Sequence, residues 1–247
     1  MSNILYVVGL GPGKREYMTG QAVSAILEAE IIAGYTAYTG VVKENFTAEE
    51  LAGKEFFENG MGLEEERVRF ALCSAQEGKC TALVCSGDAG VFGMAGLALE
   101  LSKEYPAAEI KIVSGVTAAL SAGAVLGAPL GNDFAVVSLS DYHVPEEMIH
   151  KRLRALGELD MCIALYNPGG KRRPESLKRA CEVLLSVLPA DTVCGVCRNA
   201  GREDESTRIM SLSELSDFMP DMFTIVFIGN SNTVVKDGKI VTSRGFL

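Results

Sequence analysis

Residues 81–93, TALVCSGDAGVFG, limit what this 247-residue chain can fold into more than any other stretch. Thr81-Ala82-Leu83-Val84-Cys85 is an apolar run with the length of a buried strand. Ser86-Gly87-Asp88-Ala89-Gly90 breaks it, and apolar residues then resume with helical spacing. A strand, a glycine turn and a helix start in direct succession form the unit of an open parallel sheet, whose ligands collect beyond the carboxyl ends of the strands. The acid in that turn has two readings. Asp88 caps a helix beginning near Val91, or it accepts hydrogen bonds from the ribose or amine of a ligand that Gly87 and Gly90 admit close to the backbone.

The unit recurs. Residues 4–8 feed Gly9-Leu10-Gly11-Pro12-Gly13, and residues 110–113 feed Ser114-Gly115-Val116-Thr117-Ala118, the start of a helix of small side chains that Gly127 and Pro129 end. Between these runs the spacing predicts a helix over 21–29 capped by Thr19, one over 63–76, and one from Gly93 to about residue 104. Alternation of this kind is βαβ wiring and predicts an α/β fold with a mainly parallel, doubly wound sheet. The first glycine loop is not a phosphate cradle. A dinucleotide fingerprint needs glycine where Lys14 stands, Pro12 lacks the N–H a pyrophosphate would take, and the run 31–35 ends without the ribose-binding acid. A P-loop fails as well, because Gly13-Lys14 is followed by Arg15. The plain alternative is a tight turn.

From Asp133 the pattern restarts, with strands expected at 134–139, 161–165, 192–197, 207–210 and 223–228. Pro145 and Pro174 open helices, and Ser211-Leu212-Ser213-Glu214 has capping-box spacing. Asp237-Gly238 turns a terminal hairpin, 233–236 with 239–242. The strand exits carry polar residues: Ser140-Asp141, Tyr166-Asn167-Pro168 and Arg198-Asn199. We place the domain boundary at Gly115, giving an N-terminal α/β domain of residues 1–114 and a C-terminal α/β domain of residues 115–247, and find no internal repeat.

Lys and Arg number 23 against 32 Asp and Glu, a net charge of −9, which argues against nucleic acid as a general partner. An anionic ligand must then be met by a local basic cluster such as Lys171-Arg172-Arg173. The first apolar run has no basic flank and meets Gly9 too early for a signal peptide or membrane span, so a soluble, cytoplasmic protein is expected. The seven cysteines mostly sit in apolar runs, as reduced buried thiols do, and no disulfide is expected. Cys194 and Cys197, three apart on a strand, point to opposite faces, and His143 and His150 have no second ligand nearby, so no metal site is expected.

Seven segments together carry a resemblance: Gly9 to Gly13, Ser86 to Gly90, Ser114 to Ala118, Ser138-Leu139-Ser140-Asp141, Tyr166-Asn167-Pro168, Arg198-Asn199-Ala200-Gly201-Arg202 and Ser243-Arg244-Gly245-Phe246. Across essentially its whole length the chain resembles the S-adenosylmethionine-dependent tetrapyrrole methylases. Within them it resembles the branch that methylates C17 of precorrin-3B or cobalt-precorrin-3 in cobalamin (vitamin B12) biosynthesis. The resemblance implies two α/β domains, the second with a mixed sheet, an active-site cleft between them, and a homodimer. It implies cofactor contacts at Pro12, Gly87, Asp88, Val91, Thr117, Ala118, Asn167, Ala200 and Thr224. Substrate contacts fall at Gly11, Gly13, Tyr166, Arg172, Arg198 and Arg202. Where the family commonly places Trp after Pro145, Glu146 stands here, which removes a stacking wall.

Methyl transfer from a sulfonium to an electron-rich carbon needs alignment and exclusion of water more than a strong base, so the absence of a nucleophile-His-acid pattern fits. The resemblance further implies contraction of the macrocycle, with Asp141 and Arg198 as the residues expected to assist it. Two other functions stay open from the residues alone: a methylase of this fold acting at another ring carbon, and a non-catalytic nucleotide-binding sensor module.

Overall fold

The structure, a computed structural model, describes residues 2–170 and 173–245. The chain divides into two compact units, Met1–Ala118 and Ala119–Leu247. The first holds β1 (Ile4–Gly9), α1 (Gly20–Glu28), β2 (Ile31–Tyr35), α2 (Thr36–Asn45), β3 (Glu55–Asn59), α3 (Glu64–Gln76), β4 (Thr81–Cys85), α4 (Ala95–Leu101) and β5 (Glu109–Val113). Its strands form one sheet in the order β3-β2-β4-β1-β5, and every neighbouring pair is parallel.

Alternation along the strands sorts the side chains to two faces. Leu5, Val7, Leu83 and Cys85 pack with Val68, Ala71, Leu72 and Ala75 of α3 and Ala95 and Ala98 of α4. Val8, Ile32, Ala82 and Val84 pack with Ala22, Ala25 and Ile26 of α1 and Val42 of α2. Both faces are covered, as the apolar runs require of a parallel sheet. Thr19 caps α1 as expected, its hydroxyl accepting from the Ala22 N–H at 3.1 Å. The apolar pattern does not announce α2 and β3. Glu55-Phe56-Phe57-Glu58-Asn59 is an edge strand with no continuous apolar run, and it is held by side chains from elsewhere. Phe57 stacks on Phe70 with ring centroids 3.9 Å apart. Arg67, buried in α3, donates to Asn59 Oδ1 and to the Gly60 carbonyl at the strand's exit.

The second unit holds α5 (Ala118–Leu126), which begins at the boundary, β6 (Gly127–Ala128), β7 (Phe134–Ser138), α6 (Glu146–Glu158), β8 (Cys162–Tyr166), α7 (Ser176–Leu185), β9 (Val193–Arg198), β10 (Ser206–Ser211), α8 (Leu212–Leu215), β11 (Thr224–Ile228), β12 (Thr233–Lys236) and β13 (Lys239–Thr242). Five strands run in the order β10-β9-β11-β8-β7. Only β7 with β8 is parallel, so the sheet is mixed. Ile149 and Leu153 of α6, Leu177 and Leu184 of α7, and Leu212 and Leu215 of α8 cover one face. The capping box at Ser211 and Glu214 is formed, and the expected terminal hairpin is β12 with β13, joined by β6 into a small three-stranded sheet. Against the other face of the large sheet, a Cβ placed on Gly195 would lie 2.5 Å from Ile240 Cδ1 and 3.0 Å from Leu126 Cδ1. Residue 195 is therefore glycine because β13 and α5 close over β9 there.

At the carboxyl end of the first sheet, the exits of β1, β4 and β5 meet backbone to backbone. Gly11 and Gly87 exchange both N–H···O bonds, at 3.0 and 2.9 Å, and both have left-handed φ, +68° and +66°. A Cβ on Gly115 would stand 2.2 Å from the Gly87 carbonyl oxygen and 2.6 Å from that of Gly9. Gly115→Ala thus confronts carbonyls fixed in the chain, whereas Gly195→Ala confronts methyl ends that can turn aside. We expect urea unfolding to show a loss of about 3 kcal/mol or more for Gly115→Ala and about 1 kcal/mol for Gly195→Ala; equal small losses would show that the three turns yield.

All seven cysteines are free thiols, and only Cys73 is exposed. Burial pushes the Cys85 thiol up to about 11 and that of Cys181 up to about 12, and it raises Cys194 further in the same direction. Deprotonation is what makes a thiol nucleophilic. Alkylation of the native protein at pH 8 should therefore add one adduct, at Cys73, by peptide mass mapping; adducts at Cys85 or Cys181 without denaturant would contradict the packing.

Candidate active site

Asp88 is the one charged group of the β4 exit, and its carboxylate holds backbone on two strands. Oδ1 accepts from the N–H groups of Gly90 at 2.8 Å and Val91 at 3.2 Å, and Oδ2 accepts from the Gly115 N–H at 3.0 Å. The helix expected near Val91 begins instead at Ala95, behind Met94, whose side chain makes no capping bond. The capping reading of Asp88 is therefore corrected. The turn between Asp88 and α4 is too tight to be helical, since a Cβ on Gly93 would lie 2.5 Å from the Ala89 carbonyl oxygen. Asp88 closes the β4 turn and ties it to the β5 exit.

The residues expected to hold a cofactor in this unit come together around that tie. A Cβ on Gly87 would lie 3.7 Å from both the Ala118 nitrogen and Thr117 Cα, ordinary contact distance, so the missing side chain leaves a shallow cradle facing Thr117 and Ala118. Val91 is held by Asp88 directly. Gly11 is paired to Gly87, which brings Pro12 and Gly13 alongside. Their loop is anchored by a residue the sequence did not flag. Asn45, at the end of α2, donates to the Gly13 carbonyl at 3.1 Å and accepts from the Arg15 N–H at 2.8 Å. Arg15 pairs in turn with Glu50, whose carboxyl it draws down to about 2.

In the second unit the expected residues fall into two groups. At the exits of β7 and β8, the Tyr166 hydroxyl accepts from the Ala119 N–H at 2.8 Å, in the first turn of α5. Asn167 adopts φ +53°, a conformation Asn tolerates better than most residues, and donates to Ser138 Oγ at 2.9 Å. Asp141 is half exposed, and its partner is Arg173 at 3.8 Å, not Arg198. Arg172 and Lys171 lie outside the described residues. Glu146, which stands where a stacking residue was expected, binds Arg179 and sits 3.6 Å from His150.

The second group surrounds the start of β11. Arg198 Nε donates to Asp221 Oδ2 at 2.5 Å, and Asp221 Oδ1 accepts from Phe223 N–H at 2.9 Å and Thr224 Oγ1 at 2.8 Å. The Asn199 N–H donates to the Phe223 carbonyl, which sets the turn carrying Ala200, and the Arg202 guanidinium lies 5.3 Å over the Phe223 ring. Arg198, Ala200, Arg202 and Thr224 are thus gathered around two residues that the sequence reading missed, Asp221 and Phe223. Burial pushes the Asp221 carboxyl up, but hydrogen bonds from Arg198, Thr224 and the Phe223 N–H outweigh it and hold the group below the usual carboxylate range. The signal was available: Asp-x-x-Thr before a strand has the spacing of an acid that closes a turn on its own backbone.

Among the described residues no group of three or more His, Cys, Asp or Glu could hold a metal ion. The first unit offers a backbone-lined cradle for a small polar ligand, and the second offers guanidinium groups for an acid.

Comparison with known proteins gives the family and the fold. The family profile Tetrapyrrole (Corrin/Porphyrin) Methylases matches residues 4–216. A probable cobalt-factor III C(17)-methyltransferase of Salmonella typhimurium is 43% identical over 98% of this chain and 99% of its own length. A precorrin-3B C(17)-methyltransferase of a Sinorhizobium species is 40% identical, covering 97% of this chain and 94% of the relative. The crystal structure of the methyltransferase CobJ superposes with a TM-score of 0.89 at 32% identity, over 98% of this chain and all of that one. The match spans most of the chain, and the chain belongs to the tetrapyrrole (corrin/porphyrin) methylases.

Proposed function

We propose that this protein transfers the methyl group of S-adenosylmethionine to C17 of a precorrin-3-class macrocycle, with or without cobalt, in cobalamin biosynthesis, and that ring contraction accompanies the transfer. The observation that carries this reading is the full-length likeness to C17 enzymes at 43% identity, which covers both units rather than a shared cofactor domain alone. S-adenosylmethionine, when bound, supplies an electrophilic methyl carbon on a sulfonium. The chain's own part is to hold it and to exclude water.

The residues fit that group. The cradle at Gly87, Thr117 and Ala118 is lined by main chain, and Pro12, Val91 and the Asp88-braced turn flank it. Asn167, Ala200 and Thr224 are the contacts expected from the second unit. The Thr224 hydroxyl is already engaged by Asp221, so its share falls to the backbone. Gly11, Gly13, Tyr166, Arg172, Arg198 and Arg202 are assigned to the macrocycle, the arginines to its carboxylates. Asp141, exposed and weakly paired, is the residue assigned to orient the rearranging ring. No helix among the described residues is long and apolar enough to cross a membrane. The reading includes a cytoplasmic homodimer that binds no nucleic acid, in keeping with the net charge of −9.

Incubation with S-adenosylmethionine and the trimethylated precursor, with and without cobalt, should yield a product carrying one further methyl at C17 and a contracted ring by mass and NMR analysis. A methyl at another carbon overturns the position, and a methylated but uncontracted ring overturns the contraction alone. Calorimetry should give micromolar affinity for S-adenosylmethionine and none for NAD. Asp88→Ala removes three backbone ties and should weaken that affinity about tenfold or more; unchanged affinity would confine Asp88 to closing its turn.

A further inference from the structure

We propose that Asp221 is a positioning residue for the tetrapyrrole: it fixes Arg198 through Nε so that the two Nη groups are set for a carboxylate of the macrocycle. The inference rests on the functional reading above and extends it to a residue outside the expected site. Asp221 stands three residues before Thr224, at the entry to β11, and Arg198 is the last residue of the neighbouring β9. The two oxygens of the carboxylate have separate duties. Oδ1 accepts from the Phe223 N–H and from Thr224 Oγ1, which shapes the turn, and Oδ2 accepts from Arg198 Nε at 2.5 Å.

A guanidinium has five N–H donors in a planar fork. With Nε taken, both Nη groups remain on the edge that binds a carboxylate in bidentate fashion. The Arg198 side chain is 49% exposed, so those groups are reachable. An unbraced arginine on a strand end would sample several rotamers and lose that freedom on binding; one already held by a carboxylate loses less. Asp221 is oriented in turn by the N–H of Phe223 and the Thr224 hydroxyl, so the brace is attached to the sheet rather than to a loose loop.

Asp221→Asn is the discriminating change. The amide keeps an oxygen for Phe223 and Thr224 and replaces the acceptor of Arg198 with an NH2 that cannot accept. With the C17 substrate, Asp221→Asn should raise KM for the macrocycle about tenfold, keep kcat within about twofold, and leave S-adenosylmethionine affinity unchanged. Arg198→Ala should raise the same KM by a similar factor, and the double variant should be no worse than either single one, because both remove one device. Unchanged macrocycle KM in Asp221→Asn, multiplicative effects in the double variant, or a loss that falls on S-adenosylmethionine affinity instead would each overturn the proposal. Failure of the functional reading is separate: the unmodified protein would then give no C17 product at all.

Discussion

The contact on which the first unit depends is the approach of three strand exits to within backbone distance of one another. Carbonyl and N–H groups of Gly9, Gly87 and Gly115 occupy space where a side chain would stand on an ordinary residue. Three parallel strands can end side by side in this way because Gly9 and Gly115 carry no Cβ and Gly87 takes a left-handed φ of +66°. What remains is a surface of main chain, and a ligand placed there meets peptide dipoles rather than side chains. Asp88 makes the arrangement rigid. Its two oxygens hold turns on β4 and β5, and the Gly11–Gly87 pair holds β1 to β4.

Acids recur in this protein as braces rather than as reacting groups. Asp88 braces the β4 turn, Asp221 the β11 entry, Glu50 the guanidinium beside the Pro12 loop, and Asp160 the chain at Ser231. The carboxyls of Asp221 and Glu50, held below the usual range by the donors they accept from, are oriented and make poor proton shuttles near neutral pH. That suits a reaction in which alignment matters more than proton transfer. It also reconciles a net charge of −9 with an anionic macrocycle. Many of the acids are engaged by the protein's own donors, and Arg198 stands at the exit of β9.

Much of the architecture was legible before any coordinates. Apolar runs of strand length, each followed by a turn and a helical pattern, required a parallel sheet in the first unit, and the mixed sheet of the second was implied by the family resemblance. Caps were legible too, because Thr19 and the Ser211–Glu214 box act over three residues of chain. The elements that escaped were α2 and β3. An edge strand needs little apolar sequence of its own when Phe70 and Arg67 of a later helix hold it.

The sequence by itself determined the alternation of elements, the need for glycine at the strand exits, and a whole-chain resemblance strong enough to name the chemistry, because these follow from local spacing and residue type. Only the tertiary structure decided what each polar side chain is attached to. Asp88, open between a helix cap and a ligand contact, ties two strands together, the Tyr166 hydroxyl goes to the first turn of α5, and Asp221 is the partner of Arg198. Those partners lie 27, 47 and 23 residues away along the chain. A hydrogen bond depends on distance in space, and for groups so far apart in sequence that distance exists only once the sheet is built.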